Sequence, residues 1–310
     1  MLRKTSHFNK FKDRNVGSLL YHEEYQYLNL LDDIIQEGTM EKGRNGNVLT
    51  VFGSSMHYSL ENGYVPILTT KKTAWKTCLK ELLWFVKGQT SNKVLNEQNV
   101  HIWDGNGSKE FLESRGLSHY EEGDLGPIYG FQWRHFNAQY NTMHDDYTNT
   151  GIDQLQSVID TLKDPELRTS RRMIVSAWNP CQLNEMALPP CHVMFQFNVV
   201  DGNKLSCSLY QRSVDCALGQ PFNICSYSML TYLIAHHCGL EPYEFVYYMG
   251  NCHIYEDHIE PMKEQIKRVP FEFPKMKIIN KRENISDYEV SDFVIENYTH
   301  HEKIKMSMVA

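Results

Sequence analysis

The sequence predicts one α/β domain. Three observations carry that expectation. Stretches with apolar residues at helical spacing alternate with strand-like runs. A strong turn, Asp201-Gly202-Asn203, joins two of those runs into a hairpin. No repeat, low-complexity stretch or linker divides the 310 residues.

Residues 1–20 are basic and mostly polar, and read as a loosely held tail; they lack the apolar core of a secretory signal. The domain is expected to run from 21 to 310. Glu23–Glu37 carries Tyr27, Leu28, Leu30, Leu31, Ile34 and Ile35 at helical spacing, with Gly38 as its stop. A turn-rich loop, Gly43-Arg44-Asn45-Gly46-Asn47, leads into a strand at Val48–Phe52. Thr69-Thr70-Lys71-Lys72 precedes a second helix, Ala74–Lys87, with Leu79, Leu82, Leu83 and Val86 on one face and Gly88 after it. Glu81 stands among these apolar positions. On the wet side it is an ordinary surface carboxylate; turned inward it becomes a proton-transfer group, because burial raises a carboxyl pKa. Ile102-Trp103 is followed by a turn, and Gly123–Gly130 is a Gly/Pro-punctuated loop that ends at Tyr129. Ser108–Glu122 and residues 137–150 read as polar surface excursions.

Ile152–Leu162 reads as a helix. Arg168–Trp178 reads as a strand opened by Arg171-Arg172. A strand sends neighbours to opposite faces, so one of the pair is expected to point inward and need an anionic partner. The hairpin occupies 192–213. Asn223–Cys238 is a long, mostly apolar helix closed by Gly239, expected to be central and buried. Phe245–Met249 is a strand, and the alternation of His253-Ile254-Tyr255 puts His253 and Tyr255 on one side. Lys275–Ile279 and Phe293–Ile295 are short strands, and the alternating apolar end, Lys303–Ala310, suits a segment that folds over bound ligands.

Composition narrows the function classes. Apolar residues at 41% and charged residues at 22% are ordinary for a globular chain. A net charge of −7 argues against wholesale wrapping of nucleic acid, and an anionic ligand would need a local basic pocket. No apolar run reaches membrane-spanning length. The eight cysteines show no paired C-x-x-C spacing, so a zinc site or other metal is not expected; they read as reduced thiols of an intracellular, cytoplasmic protein.

The chemistry concentrates in Met186–Asn223. This stretch opens with Pro189-Pro190-Cys191-His192, passes through the hairpin to Gln211-Arg212-Ser213, and closes on Pro221-Phe222-Asn223 at a helix entry. A thiol, an arginine beside a serine, and an asparagine are thus presented by one hairpin and the turn after it. That set suits covalent chemistry on a small anionic molecule.

At Cys191 the chain resembles the thymidylate synthase family, from about Tyr21 to the C-terminus. The matching stretches are KELLWF, EEGDLGPIYGFQWRHF, RRMIVSAWNP, MALPPCH, LSCSLYQRS, GQPFN and CHIY. The segment 104–122 resembles an insert of eukaryotic members, and with so few residues ahead of the domain the expected member is monofunctional, without a fused dihydrofolate reductase. The resemblance implies a large mixed sheet flanked by helices, and a homodimer with sheets packed face to face. It implies methylation of deoxyuridylate at C5, with 5,10-methylenetetrahydrofolate as both carbon donor and reductant. Cys191 would be the nucleophile that adds to C6, with Glu81, Tyr129 and His192 in the proton network and Asp215 holding the pterin. Arg44, Arg212 and Ser213 would bind the phosphate, with Arg171 and Arg172 reaching in from the partner subunit, and Gln211 would be a further nucleotide contact. Asn223 would read the pyrimidine, and His253 and Tyr255 the ribose. Ile102, Trp103, Gly219 and Phe222 would line the folate site, Lys71 would meet the folate glutamate, and Ala310 would supply the closing carboxylate. The chain departs from the family pattern in its shortened Arg44 loop, in Asn251 where aspartate is usual, and in its terminal Ala310. A deoxycytidylate hydroxymethylase of the same fold would want an acidic group at 223. A non-catalytic nucleotide- or RNA-binding relative would have lost Cys191, Arg212 or Glu81.

Overall fold

The computed structural model describes residues 22–43 and 46–307. The N-terminal tail, Arg44 and Ala310 lie outside the described residues. In chain order the elements begin with helix α1 (Tyr25–Glu37), strands β1 (Thr39–Gly43) and β2 (Gly46–Ser59), and helices α2 (Trp75–Val86), α3 (Asn92–Asn96), α4 (Asp104–Gly107), α5 (Lys109–Ser114), α6 (Tyr129–His135) and α7 (Gln154–Lys163). There follow β3 (Ile174–Ser176), β4 (His192–Val200), β5 (Lys204–Asp215), α8 (Gly219–Cys238), β6 (Glu241–Tyr255), α9 (Ile259–Ile266), β7 (Lys275–Ile278) and β8 (Phe293–Glu296).

Six strands form one mixed sheet in the order β1-β2-β6-β5-β4-β3, and β7 and β8 pair as a separate ribbon. Within the large sheet only β5 and β6 run parallel. Parallel neighbours need a crossover, and α8 is that crossover. It packs on both strands it joins and is buried along nearly its whole length, as its apolar sequence requires. Gly239 ends it in the left-handed region at φ 72°. The side chains of Phe195, Phe197, Leu209, Phe245 and Tyr247 alternate inward from β4, β5 and β6 beneath it. Tyr227 of α8 stacks on Phe245 and meets Phe195 edge-on. On the opposite face Met194, Tyr210 and Tyr248 stand exposed on three adjacent strands, in register with one another.

Several expectations need correction. The long apolar helix starts a turn earlier than Asn223, at Gly219. The strands expected at Val48–Phe52 and Phe245–Met249 are parts of β2 and β6, which span 14 and 15 residues and pair with each other. The surface excursion at 108–122 contains α5 and buries Leu112, Leu117 and Tyr120. Tyr129 opens helix α6 rather than ending a loop. The strand expected at Arg168–Trp178 is only β3. Arg171 and Arg172 lie in the turn before it, and both are exposed, so neither points inward within its own chain.

Candidate active site

The parallel pairing of β5 and β6 brings their C-terminal ends to the same end of the sheet, with Ser213 opposite Asn251 and Asp215 opposite His253. The first turn of α8 starts there, because only three residues separate it from β5. β4 runs antiparallel to β5 and begins at that end too, so the residue before it, Cys191, joins the group. Binding at the carboxyl ends of parallel strands beside a helix N-terminus is a recurrent consequence of such topology. The result is a cavity of about 980 Å³. Cys191, His192, Glu81 and Tyr129 line it, with Arg212, Ser213, Asn223, His253 and Tyr255. Lys71, Ile102, Trp103, Asp215, Gly219 and Phe222 complete the set gathered from the expected residues, along with Gln211. Although the chain is acidic, six lysine or arginine residues line the cavity against three carboxylates, which meets the requirement for a local basic pocket.

The thiol is held by its backbone. The Cys191 N–H donates to the Tyr129 hydroxyl at 2.8 Å, and its carbonyl accepts from the Arg212 N–H at 3.0 Å. The Arg212 guanidinium is fixed beside it by bonds of 3.0 Å to the carbonyls of Pro189 and of Pro190, and it lies over the Trp178 ring. The adjacent prolines therefore do two things: they stiffen the approach to the thiol and their carbonyls orient its neighbouring cation. Burial holds the Tyr129 hydroxyl well above its usual range, so it stays protonated and accepts the Cys191 N–H as a neutral oxygen.

Glu81 points into the cavity, so the inward alternative for this residue holds. Burial raises its carboxyl to about 7, partly opposed by the Trp103 indole, which donates to it at 2.7 Å. A carboxyl poised near neutrality can both give and take a proton. A raised pKa means stability present below the ordinary carboxyl range and lost as pH rises through about 7. Glu81→Gln removes the buried charge, so the variant should gain stability relative to the wild type, on the order of 1–3 kcal/mol more at pH 8.5 than at pH 5. Chemical denaturation at the two pH values measures this; an equal difference at both would place the Glu81 carboxyl in solvent.

His192 and Asn223 form a part-buried pair, Nε2 to Nδ2 at 2.7 Å. Desolvation lowers the imidazole to about 4, so it is neutral. With the amide in this orientation Asn223 donates to Nε2, which puts the ring proton on Nδ1. The second amide hydrogen of Asn223 and its Oδ1 then have no protein partner among the described residues. One donor and one acceptor on a single planar group match one edge of a pyrimidine. On β6, Nδ1 of His253 meets Oδ1 of Asn251 at 3.0 Å, and Asn251 in turn donates to Thr50 at 2.7 Å. Desolvation lowers His253 as well.

Other expected residues are engaged by the protein itself. Gln211 accepts from Tyr247 and donates to the Ser213 carbonyl, so it braces the strand. Asp215 Oδ1 caps the turn into α8 by accepting from the N–H groups of Ala217 and Leu218. Lys71 turns inward: its ammonium sits on the Ala217 carbonyl, and burial depresses it to about 8 against the pull of Asp215. Arg171 and Arg172 stand apart from the cavity, in a shallow groove with Glu166. Asn106 of α4 and Arg115 of the excursion, neither marked by its sequence context, also line the cavity, as do Lys303, Ile304 and Met306 of the C-terminal segment expected to fold over bound ligands. That segment is tied down by the His301 N–H on the Thr69 carbonyl and by Arg268 on the Glu302 carbonyl.

A family model described as thymidylate synthase matches residues 25–310. Among curated proteins, the bifunctional dihydrofolate reductase-thymidylate synthase of Plasmodium chabaudi is 50% identical over 310 residues, covering 99% of this chain and 52% of that protein. The bifunctional protein of Zea mays is 53% identical, covering 97% of this chain and 58% of its own length. The thymidylate synthase of Homo sapiens is 53% identical, covering 93% of this chain and 91% of that protein. The chain thus spans about half the length of the bifunctional relatives and nearly all of the human one.

Proposed function

The chain belongs to the thymidylate synthase family, and we propose that it converts deoxyuridylate to thymidylate. The observation that carries this reading is the convergence of Cys191, Arg212, Glu81 and Asn223 on one cavity. C5 of a uracil ring is a poor nucleophile. Addition of the Cys191 thiolate to C6 makes it an enolate carbon, so the thiol has a chemical purpose at the position it occupies. Asn223 accepts from N3–H and donates to O4, and with His192 keeping its amide in place it also stabilises charge that develops at O4. Arg212 and Ser213 take the phosphate. Glu81 and Tyr129 manage protons at the pyrimidine. His253 and Tyr255 hold the ribose, and Trp103, Ile102 and Phe222 form the apolar walls of the folate site. 5,10-Methylenetetrahydrofolate supplies the one-carbon unit and the reducing equivalents.

We further propose a homodimer that packs the exposed sheet face carrying Met194, Tyr210 and Tyr248 against its copy, with Arg171 and Arg172 serving the neighbour's phosphate. We read the protein as monofunctional, in line with the human relative's name, and as cytoplasmic. The mass and fractionation of the native protein check these last two points. Substrate choice has a direct test. Asn223→Asp should erode preference for deoxyuridylate over deoxycytidylate by on the order of 1–3 kcal/mol, the price of one mismatched polar contact. Relative kcat/KM for the two nucleotides measures it, and an unchanged ratio would remove Asn223 from base recognition. Preference for deoxycytidylate by the wild type would support the hydroxymethylase reading instead.

A further inference from the structure

Helix α5 ends at Ser114, and Arg115 caps it with φ −88° and ψ −2° before Gly116 turns the chain at φ +78°. The Arg115 N–H closes the helix on the carbonyls of Phe111 and Leu112. Arg115 lines the cavity, as do Ile102, Trp103 and Asn106 just before it in the chain. The Nε atom is buried and has no hydrogen-bond partner, and among the described residues the guanidinium has no ion pair. Of the other cations that line the cavity, Lys71 sits on the Ala217 carbonyl and Arg212 on those of Pro189 and Pro190, while Lys42, Lys72 and Lys303 are exposed to solvent. A half-buried guanidinium whose Nε is closed off from solvent and unpaired is a site prepared for an incoming anion.

The choice of anion rests on the thymidylate synthase reading. Two anionic groups would enter the cavity, the nucleotide phosphate and the carboxylates of the folate's glutamyl end. The phosphate belongs to the hairpin that carries Arg212 and Ser213. Arg115 belongs to the segment that follows Trp103, the aromatic residue expected to wall the folate. Lys71, which the resemblance pairs with the glutamate, has its ammonium turned into the protein. We propose that Arg115 is a specificity-determining residue that sorts folates by the carboxylates of their glutamyl end, through the bidentate geometry that a guanidinium offers a carboxylate.

The test compares wild type, Arg115→Gln and Arg115→Lys, with thermal unfolding as a check on folding. Dissociation constants are measured in the presence of deoxyuridylate for tetrahydrofolate monoglutamate, for its polyglutamylated form and for tetrahydropteroate, which lacks the glutamyl group. Arg115→Gln should weaken both glutamylated ligands roughly 10- to 100-fold, the scale of a charge-assisted hydrogen bond, and leave tetrahydropteroate unchanged. Arg115→Lys should recover part of the loss, and the wild-type advantage should shrink with added salt. Equal effects on all three ligands, or none, would overturn the proposal; so would a loss confined to deoxyuridylate affinity, measured separately, which would assign the cation to the phosphate. Failure of the wild type to form dihydrofolate would instead count against the synthase reading, and the binding comparison would still report on Arg115.

Discussion

Cys191→Ala should abolish turnover while leaving deoxyuridylate binding largely intact. On the proposed reading the Cys191 thiol adds to C6, and without that addition C5 stays unreactive. The contacts expected to hold the nucleotide come from Arg212, Ser213, Asn223, His253 and Tyr255, all of which survive the substitution. A fall in kcat of ~10⁴-fold or more is the scale seen when an enzyme loses its nucleophile. The backbone bonds to Tyr129 and Arg212 do not depend on the side chain, so the variant should fold. Nucleotide affinity by calorimetry beside steady-state turnover separates the two effects. Residual turnover within tenfold of wild type would take the nucleophile away from Cys191.

The second large effect concerns the shared site. Arg171 and Arg172 are exposed beside edge strand β3, whose Ile174 is itself exposed. Ile174 pairs with Gln196, two residues from Met194 on the open sheet face. If that face packs on a second copy, the two arginines are placed to reach across the two-fold axis. A Cys191→Ala homodimer lacks both nucleophiles, and an Arg171→Glu/Arg172→Glu homodimer has both phosphate sites reversed in charge. Each should be nearly inactive. In a mixed dimer the two lesions fall in one site and the other site is whole. Random reassortment makes about half of the dimers mixed, each with one working site, so co-refolding equal amounts should restore roughly a quarter of wild-type activity. Mixed dimers that remain inactive would confine the arginines to their own chain.

Much of the fold could be read from periodicity, because burial writes itself into spacing. Helices α1, α2 and α8 and the β4–β5 hairpin are of this kind. The elements that were missed or shortened are interrupted by glycines that the sequence presents as breakers and the structure uses for close approach. A Cβ on Gly250 would lie 2.7 Å from the Arg212 carbonyl, so β6 continues through it only because β5 can come that near. A Cβ on Gly130 would lie 2.4 Å from the Phe85 carbonyl, and α6 packs on α2 at that point. Long-range contacts of this sort leave no local period. The site was legible where chemistry clusters along the chain, as from Cys191 to Asn223. Glu81 was ambiguous because a single carboxylate on an amphipathic helix does not say which way it faces; its contact to Trp103 settles that. Arg115 escaped notice because it sits in a polar stretch that reads as surface, and only the folding of α4 and α5 beside Trp103 turns it toward the cavity.

The central claim is that this cavity methylates deoxyuridylate and reduces the transferred carbon in the same site. It is tested by mixing the full chain with deoxyuridylate and 5,10-methylenetetrahydrofolate, following dihydrofolate absorbance and identifying the nucleotide product. Stoichiometric formation of thymidylate and dihydrofolate is the predicted result. No dihydrofolate, or a hydroxymethylated nucleotide with the folate left at the tetrahydro level, would contradict it.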